Sequence, residues 1–130
     1  MNQAINAAII QRSRILLAFK HDVYILPGGK PQAGDVDEHA TLRREMREEF
    51  SGTELEDLHY YASFQGVTPH SKKPLEARVY FARLAGPLWD PTPGDSVTGF
   101  AWVAYAGLNS YHVSAITRTA LDALHRDGHF

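Results

Sequence analysis

The sequence predicts an α/β or α+β sandwich in which a mixed β-sheet lies between helices. Three observations support this prediction: short β-prone runs at the start, a charged helical segment in the middle, and an apolar-striped helix at the end. Strand-like and helix-like segments are interspersed rather than strictly alternating, which is typical of a mixed sheet with a helix on each side. A chain of 130 residues fits one compact domain and leaves little room for a second.

The first segment contains three short runs of β-prone residues. Residues 5–10 and 14–19 are separated by the polar residues 11–13 and therefore predict a hairpin. A third run, residues 23–26, ends at Pro-Gly-Gly (residues 27–29), which is a strong break signal.

The middle of the chain predicts a helix over residues 37–50, and the end predicts a second one. In the first helix, apolar residues recur every four positions and form one stripe: Leu42, Met46 and Phe50. Its start can be capped by Asp35, with Glu38 three residues later, or by Asp37. Residues 58–64, 75–84 and 100–105 predict later strands, and residues 113–124 predict an amphipathic closing helix.

Composition and charge exclude several classes of protein. With no cysteine, the chain cannot form disulfides, thiolate-bound zinc sites or iron–sulfur clusters. Its net charge of −2 argues against stable nucleic-acid binding, which needs a basic face. The apolar stretch of residues 7–10 is too short for a signal peptide or a membrane span. We therefore expect a cytoplasmic protein with no membrane partner.

The residues that suggest chemistry are concentrated between Gly28 and Gly52. Glu45, Glu48 and Glu49 stand at positions i, i+3 and i+4 of the predicted helix, so their carboxylates project from one sector. Three carboxylates this close repel one another unless a cation neutralises them. Hard oxygen ligands select Mg²⁺, Mn²⁺ or Ca²⁺ over zinc or copper.

Two features flank this cluster. Arg44 lies four residues before Glu48, within reach of an ion pair that can hold a carboxylate in one orientation. Gly28 and Gly29 allow backbone conformations forbidden to other residues, so a main-chain carbonyl can approach a metal. Without the glycine pair, the charged run would be a solvated helix face in most proteins.

The pattern resembles the Nudix box, the signature of the Nudix hydrolases, written G-x5-E-x7-R-E-U-x-E-E-x-G-U with U a bulky aliphatic residue. The chain reads Leu-Pro-Gly-Gly-Lys at residues 26–30, Gly-Asp at 34–35 and Arg-Glu-Met-Arg-Glu-Glu-Phe-Ser-Gly at 44–52. The resemblance implies a single Nudix domain over residues 1–130, with the box at about residues 28–52 and a Nudix-like α/β/α sandwich.

The sequence departs from the box at three points. Asp35 stands where the box has glutamate, and eight residues rather than seven separate it from Arg44. Ser51 replaces the box glycine, and Gly52 follows one position later. These departures alter the two ends of the helix and leave its three glutamates in place.

The resemblance also implies an activity, that of the small MutT-like enzymes. They are Mg²⁺-dependent hydrolases, with Mn²⁺ as an alternative ion, and the bond cleaved is a phosphoanhydride in a nucleoside diphosphate linked to another moiety. The metal would be held by Gly28, Glu45, Glu48 and Glu49, and the catalytic residues would be the same glutamates with Arg44. A catalytically weak or inactive Nudix-like nucleotide sensor is the alternative function. The partner expected is a small nucleotide-type molecule, and a homodimer stays an open alternative.

Residues outside the box are further candidates. Lys20 ends a strand where similar proteins often carry a basic residue that faces the substrate, although a solvated lysine is an equal alternative. Glu76 and Arg78 share a strand face and are candidates for substrate binding, or for a surface ion pair. The base is one of the box glutamates, Glu76 or Asp95, and a turn-forming role is favoured for Asp95. His70 is a candidate for contact with phosphate, with an exposed loop as the favoured alternative.

Overall fold

The computed structural model describes residues 2–68 and 71–130, so Met1, Pro69 and His70 lie outside the described residues. Eight strands are present in the described part of the chain: β1 (Asn2–Ala8), β2 (Ile10–Gln11), β3 (Arg14–Lys20), β4 (Val23–Ile25), β5 (Gly28–Gly29), β6 (Leu55–Val67), β7 (Pro74–Leu84) and β8 (Val97–Ala104). The helices are α1 (Glu38–Glu49), α2 (Ala115–Arg126) and a short 3₁₀ helix (Tyr105–Ser110).

The strands form two four-stranded sheets. The first has the order β5-β1-β7-β6, in which β1 and β7 are parallel and the other neighbours are antiparallel. In the second sheet, β3 pairs antiparallel with β2, β4 and β8. The predicted mixed sheet between helices is confirmed in class, with the strands divided between two sheets.

Two tight turns set the register of the second sheet. Arg12 and Ser13 turn β2 into β3 with φ angles of 52° and 62°, and His21 and Asp22 turn β3 into β4 with φ angles of 50° and 65°. Two consecutive residues with positive φ produce the twist that suits a two-residue hairpin. The first turn lies where the hairpin was predicted, but only Ile10 and Gln11 pair with β3, because residues 5–8 of the predicted run belong to β1 in the other sheet. The second turn pairs Lys20, at the end of β3, with Val23 at the start of β4.

The two helices cover opposite faces of the sheets. The predicted stripe of α1 is fully buried against β1 and β3, as its residues show: Leu42, Met46 and Phe50. On the other face, α2 buries Ala120, Leu121 and Leu124. In the part of the chain that the structure describes, no helix has the length and apolar character needed to cross a membrane.

The ends of α1 explain how the chain accommodates the box departures. Asp37 is the N-cap, because its Oδ1 accepts the backbone N–H of Ala40 at 2.8 Å. Asp35 accepts hydrogen bonds from Arg44 instead. At the other end, Ser51 adopts a φ of 48°, a left-handed conformation that glycine favours at a helix terminus, and its N–H donates to Oγ1 of Thr92 at 2.8 Å. The helix thus ends without displacing Glu45, Glu48 or Glu49.

Candidate active site

The box helix contributes to a cavity of about 660 Å³ that lies between β1, β7 and α2. Its charged end is lined by Glu45 from α1, Lys20 from β3, and Gly29 and Lys30 from β5 and the loop after it. The remaining wall is largely apolar, and its main residues are Ala4, Leu75, Ala77, Val79, Ile116 and Ala120. A ligand seated here would therefore meet charge at one end and carbon at the other.

Glu49 is the most deeply buried of the three glutamates, with a side chain 2 % exposed. Its Oε1 accepts the backbone N–H of Gly28 at 3.1 Å, while its buried Oε2 has no hydrogen-bond partner among the described residues. The Nζ of Lys20 lies 3.9 Å from that Oε2. Burial raises the pKa of Glu49 to about 8, although the charge of Lys20 opposes the shift.

Glu45 packs directly against Gly29, and Gly28 packs against the backbone of β1. A Cβ at Gly29 would lie 2.5 Å from the carboxyl carbon of Glu45, so a larger residue would displace this side chain. A Cβ at Gly28 would lie 2.0 Å from the carbonyl oxygen of Ile5, and the φ of Gly28 is 138°. Close approach to the backbone therefore requires glycine at position 28, whereas a side chain at position 29 would move the carboxyl of Glu45. Burial raises the pKa of Glu45, against the lowering effect of its hydrogen bond from Arg44.

Arg44 uses all five of its N–H donors, which fixes its guanidinium in one place. Nε and Nη2 donate to the two oxygens of Asp35, each at 2.9 Å, and Nη2 also donates to the carbonyl of Lys30 at 3.0 Å. Nη1 donates to Glu45 at 3.0 Å and to Glu48 at 2.9 Å. The guanidinium holds the pKa of Asp35 well below its usual range, so this carboxylate is charged.

The donor set fits a hard divalent cation, although the carboxylates are not assembled as a chelate. Within residues 2–68 and 71–130, no three carboxylate or imidazole groups stand close enough to form one, and Arg44 holds both Glu45 and Glu48. A buried carboxylate oxygen without a partner is nevertheless rare and needs a cation or a donor. The Oε2 of Glu49 is such an atom, and the negative charge of the nearby Glu45 further favours a cation beside it. Glu48, 46 % exposed, completes an oxygen-only set.

The structure does not bring Glu76 and Arg78 to this cavity. They lie on one face of β7, as the alternation predicted, but Leu75, Ala77 and Val79 on the opposite face line the cavity. Glu76 accepts a hydrogen bond from Gln3 at 2.8 Å. Arg78 forms an ion pair with Glu38 in the first turn of α1, at 2.7 Å. These contacts tie β7 to β1 and to α1.

Asp95 lies close enough to Glu49 for its charge to raise the pKa of Glu49. Its Oδ1 also accepts the backbone N–H of Val97 at 3.1 Å, which is the turn contact favoured from the sequence. His70 lies outside the described residues.

Sequence reasoning missed Asn6, which lines the cavity from β1. Its Nδ2 donates to the carbonyls of Leu26 and Pro27, at 3.0 and 3.5 Å. Because carbonyls only accept, the amide orientation is fixed and Oδ1 faces away from them as an acceptor. A single asparagine in a strand gives no sequence signal. Asp35 was considered as a helix cap and as the counterpart of the box glutamate, and its role as the anchor of Arg44 becomes visible only in the folded chain.

Proteins of known structure share this fold. A MutT NUDIX hydrolase from Burkholderia pseudomallei is 25 % identical, with a TM-score of 0.76 over 93 % of this chain and 95 % of that chain. A UDP-X diphosphatase is 19 % identical, with a TM-score of 0.77 over 99 % of this chain and 64 % of that chain. The NUDIX domain of NrtR from Shewanella oneidensis, complexed with ADP ribose, is 12 % identical, with a TM-score of 0.76 over 98 % of this chain and 88 % of that chain.

The sequence comparison reaches the same class. The family model described as NUDIX domain matches residues 2–124. No curated protein sequence gives a significant match. The chain belongs to the Nudix family and is a Nudix hydrolase, as the box predicted.

Proposed function

We propose that this hydrolase cleaves a phosphoanhydride bond in a nucleoside diphosphate linked to another moiety, and that it depends on Mg²⁺, with Mn²⁺ as a substitute. The observation that carries the proposal is the buried Oε2 of Glu49, which has no hydrogen-bond partner among the described residues. It lies 3.9 Å from the Nζ of Lys20, which lines the charged end of the cavity together with Glu45. Glu45, Glu48 and Glu49 would hold the ion with the main-chain carbonyl of Gly28. A bound divalent cation would neutralise the diphosphate and supply an activated water.

The charged residues at this end of the cavity would bind and orient the diphosphate. Lys20 is 24 % exposed, and its Nζ lies 3.9 Å from Glu49, beyond hydrogen-bond distance, so it can turn its ammonium to a phosphate oxygen. Arg44 is saturated by protein acceptors, so its role is to keep Glu45 and Glu48 aligned rather than to contact phosphate. Burial makes Glu45 and Glu49 better proton acceptors than ordinary carboxylates once they are ionised. The base is one of the box glutamates or Asp95.

The apolar part of the cavity would bind the uncharged part of the substrate. Its aliphatic walls exclude water, which strengthens the electrostatic contacts at the charged end. Because its Nδ2 is engaged by two carbonyls, Asn6 offers its Oδ1 as an acceptor to a ligand N–H or O–H. Two structural relatives support the substrate class by their names, since one is a UDP-X diphosphatase and another holds ADP ribose.

A panel assay tests the proposal. Nucleoside triphosphates, ADP-ribose and UDP-glucose are incubated with wild-type protein and Mg²⁺, with chelator, and with the matched variant Glu48→Gln, and the products are separated by chromatography. We expect at least one conjugate to be cleaved by the wild type with Mg²⁺ and to persist in the other two samples. A nucleotide that raises the melting temperature yet stays intact with Mg²⁺ would identify a sensor instead.

A further inference from the structure

The loop before α1 contains a turn over residues 32–35, in which two hydrogen bonds join Gln32 and Asp35. The backbone N–H of Asp35 donates to the carbonyl of Gln32, and Oδ2 of Asp35 accepts the N–H of Gln32, both at 2.9 Å. Oγ1 of Thr41 in α1 donates to the same Oδ2 at 2.9 Å. With the two bonds from Arg44, the carboxylate accepts four hydrogen bonds, three of them at Oδ2. The turn is therefore held against Arg44 in one geometry.

Val36 joins this turn to the cap of α1. Asp35 is fixed by the turn and by Arg44, while Asp37 is fixed by its bond to the N–H of Ala40. The side chain of Val36 is 89 % exposed, so it adds little to the core. What Val36 supplies is backbone length between two fixed points.

We propose that Asp35 and Val36 act as a compensating pair that positions Arg44. An aspartate carboxylate lies one C–C bond, about 1.5 Å, closer to its backbone than a glutamate carboxylate does. One more residue between position 35 and the helix adds up to about 3.5 Å of chain. The backbone at position 35 can therefore move toward Arg44 by the roughly 1.5 Å that the shorter aspartate side chain lacks. The longer connection thus compensates for the shorter side chain.

This inference rests on the proposed function, because Arg44 in turn holds Glu45 and Glu48. Asp35 is a positioning residue that acts through Arg44. Partners of metal ligands, when altered, typically weaken metal binding by about tenfold to a hundredfold. A mismatch between the acid and the connection should therefore be measurable as weaker binding of Mn²⁺, without any substrate.

The test compares four full-length proteins: wild type, Asp35→Glu, a deletion of Val36, and both changes together. The readouts are Mn²⁺ affinity, from the electron paramagnetic resonance signal of free Mn²⁺, and the NMR signal of the Arg44 Nε–H. We expect each single change to weaken Mn²⁺ binding by about tenfold and to shift or broaden the Arg44 signal. The double change should restore affinity to within about twofold of wild type, because non-additivity of this kind is the signature of coupled positions. If the Mn²⁺ affinity of the double variant is reduced by the combined losses of the two single variants, the proposal is overturned.

Two substitutions keep the test decisive if a deletion variant fails to fold. Asp35→Glu at the native loop length retains the charge, so wild-type Mn²⁺ affinity and an unchanged Arg44 signal in this variant would overturn the proposal. Val36→Gly keeps the length and removes the side chain, so we expect wild-type affinity. Weaker binding in that variant would show that the side chain, and not the spacing, matters.

A failure of the proposed function can be told apart from a failure of this inference. Glu48→Gln should weaken Mn²⁺ binding if the metal site is correctly placed. If it does not, the metal assignment fails, and the coupling of Asp35 and Val36 is then decided by the Arg44 signal alone. If Glu48→Gln weakens binding and Asp35→Glu does not, the metal site stands and the compensating pair is refuted.

Discussion

Replacing Glu49 with glutamine should stabilise the metal-free protein at alkaline pH. The carboxyl has an ordinary pKa of 4.5, and burial raises it to about 8 in the folded protein. The folded state therefore binds more protons than the unfolded state between these two values, and stability falls as pH rises through that window. At ~1.36 kcal/mol for each tenfold change in proton affinity, the full difference is roughly 5 kcal/mol.

Most of that loss, roughly 3 to 4 kcal/mol, falls between pH 5 and pH 8, and it is absent in Glu49→Gln. The amide oxygen can still accept the N–H of Gly28, so the packing is retained. Without metal, the variant should melt at about the wild-type temperature at pH 5 and on the order of 10 °C higher at pH 8. Added Mg²⁺ should stabilise the wild type and leave the variant unchanged.

Thermal unfolding followed by circular dichroism, in chelator and in Mg²⁺, measures these differences. The matched control is Glu48→Gln, which removes a carboxylate that is 46 % exposed and should keep the wild-type dependence on pH. If wild type and Glu49→Gln lose stability in parallel between pH 5 and pH 8, the burial of an ionisable Glu49 is not the source of the loss and the reasoning is refuted.

Three further predictions concern the box glutamates, Lys20, and the pair Glu76 and Arg78 on β7. Glu48→Gln and Glu49→Gln should each lower kcat by about a hundredfold or more while circular dichroism shows an intact fold, and activity that survives both changes would place the catalytic carboxylates elsewhere. Lys20→Met should raise KM by about tenfold with a smaller change in kcat, whereas an unchanged KM would make Lys20 only a neighbour of Glu49. Glu76→Gln should leave KM within about twofold of the wild-type value. Arg78→Met should lower the free energy of unfolding by about 1 kcal/mol, because the ion pair with Glu38 is lost. A several-fold change of KM in either variant would extend the substrate site to the face of β7 that carries Glu76 and Arg78.

Local patterns predicted the parts of the fold that depend on nearby residues. The apolar stripe of α1, whose three residues recur every four positions, is fully buried. The polar residues between the first two strand runs form a tight turn, with Arg12 and Ser13 in left-handed conformations. The alternation in β7 correctly placed Glu76 and Arg78 on one face. It could not say which face meets the cavity, because α1 covers one side of the sheet and α2 the other, and this depends on long-range packing.

The same distinction applies to the candidate site. The spacing of Glu45, Glu48 and Glu49 on one helix could be read from the sequence, because helical geometry fixes it. The depth of burial of Glu49 and the link from Asp35 to Arg44 arise where the turn of residues 32–35, β5 and α1 meet. Asn6 was missed for the same reason, since its fixed amide depends on carbonyls 20 and 21 residues away.

The most direct test of the central claim is hydrolysis in water enriched with ¹⁸O. A nucleoside diphosphate conjugate is incubated with the protein and Mg²⁺, and the products are weighed by mass spectrometry. If the helix carboxylates and their metal deliver water to a phosphoanhydride bond, one ¹⁸O atom will enter one phosphate-bearing product per turnover, and chelator will abolish the labelling. Products without ¹⁸O in phosphate, or a conjugate that stays bound and intact throughout, would contradict the account.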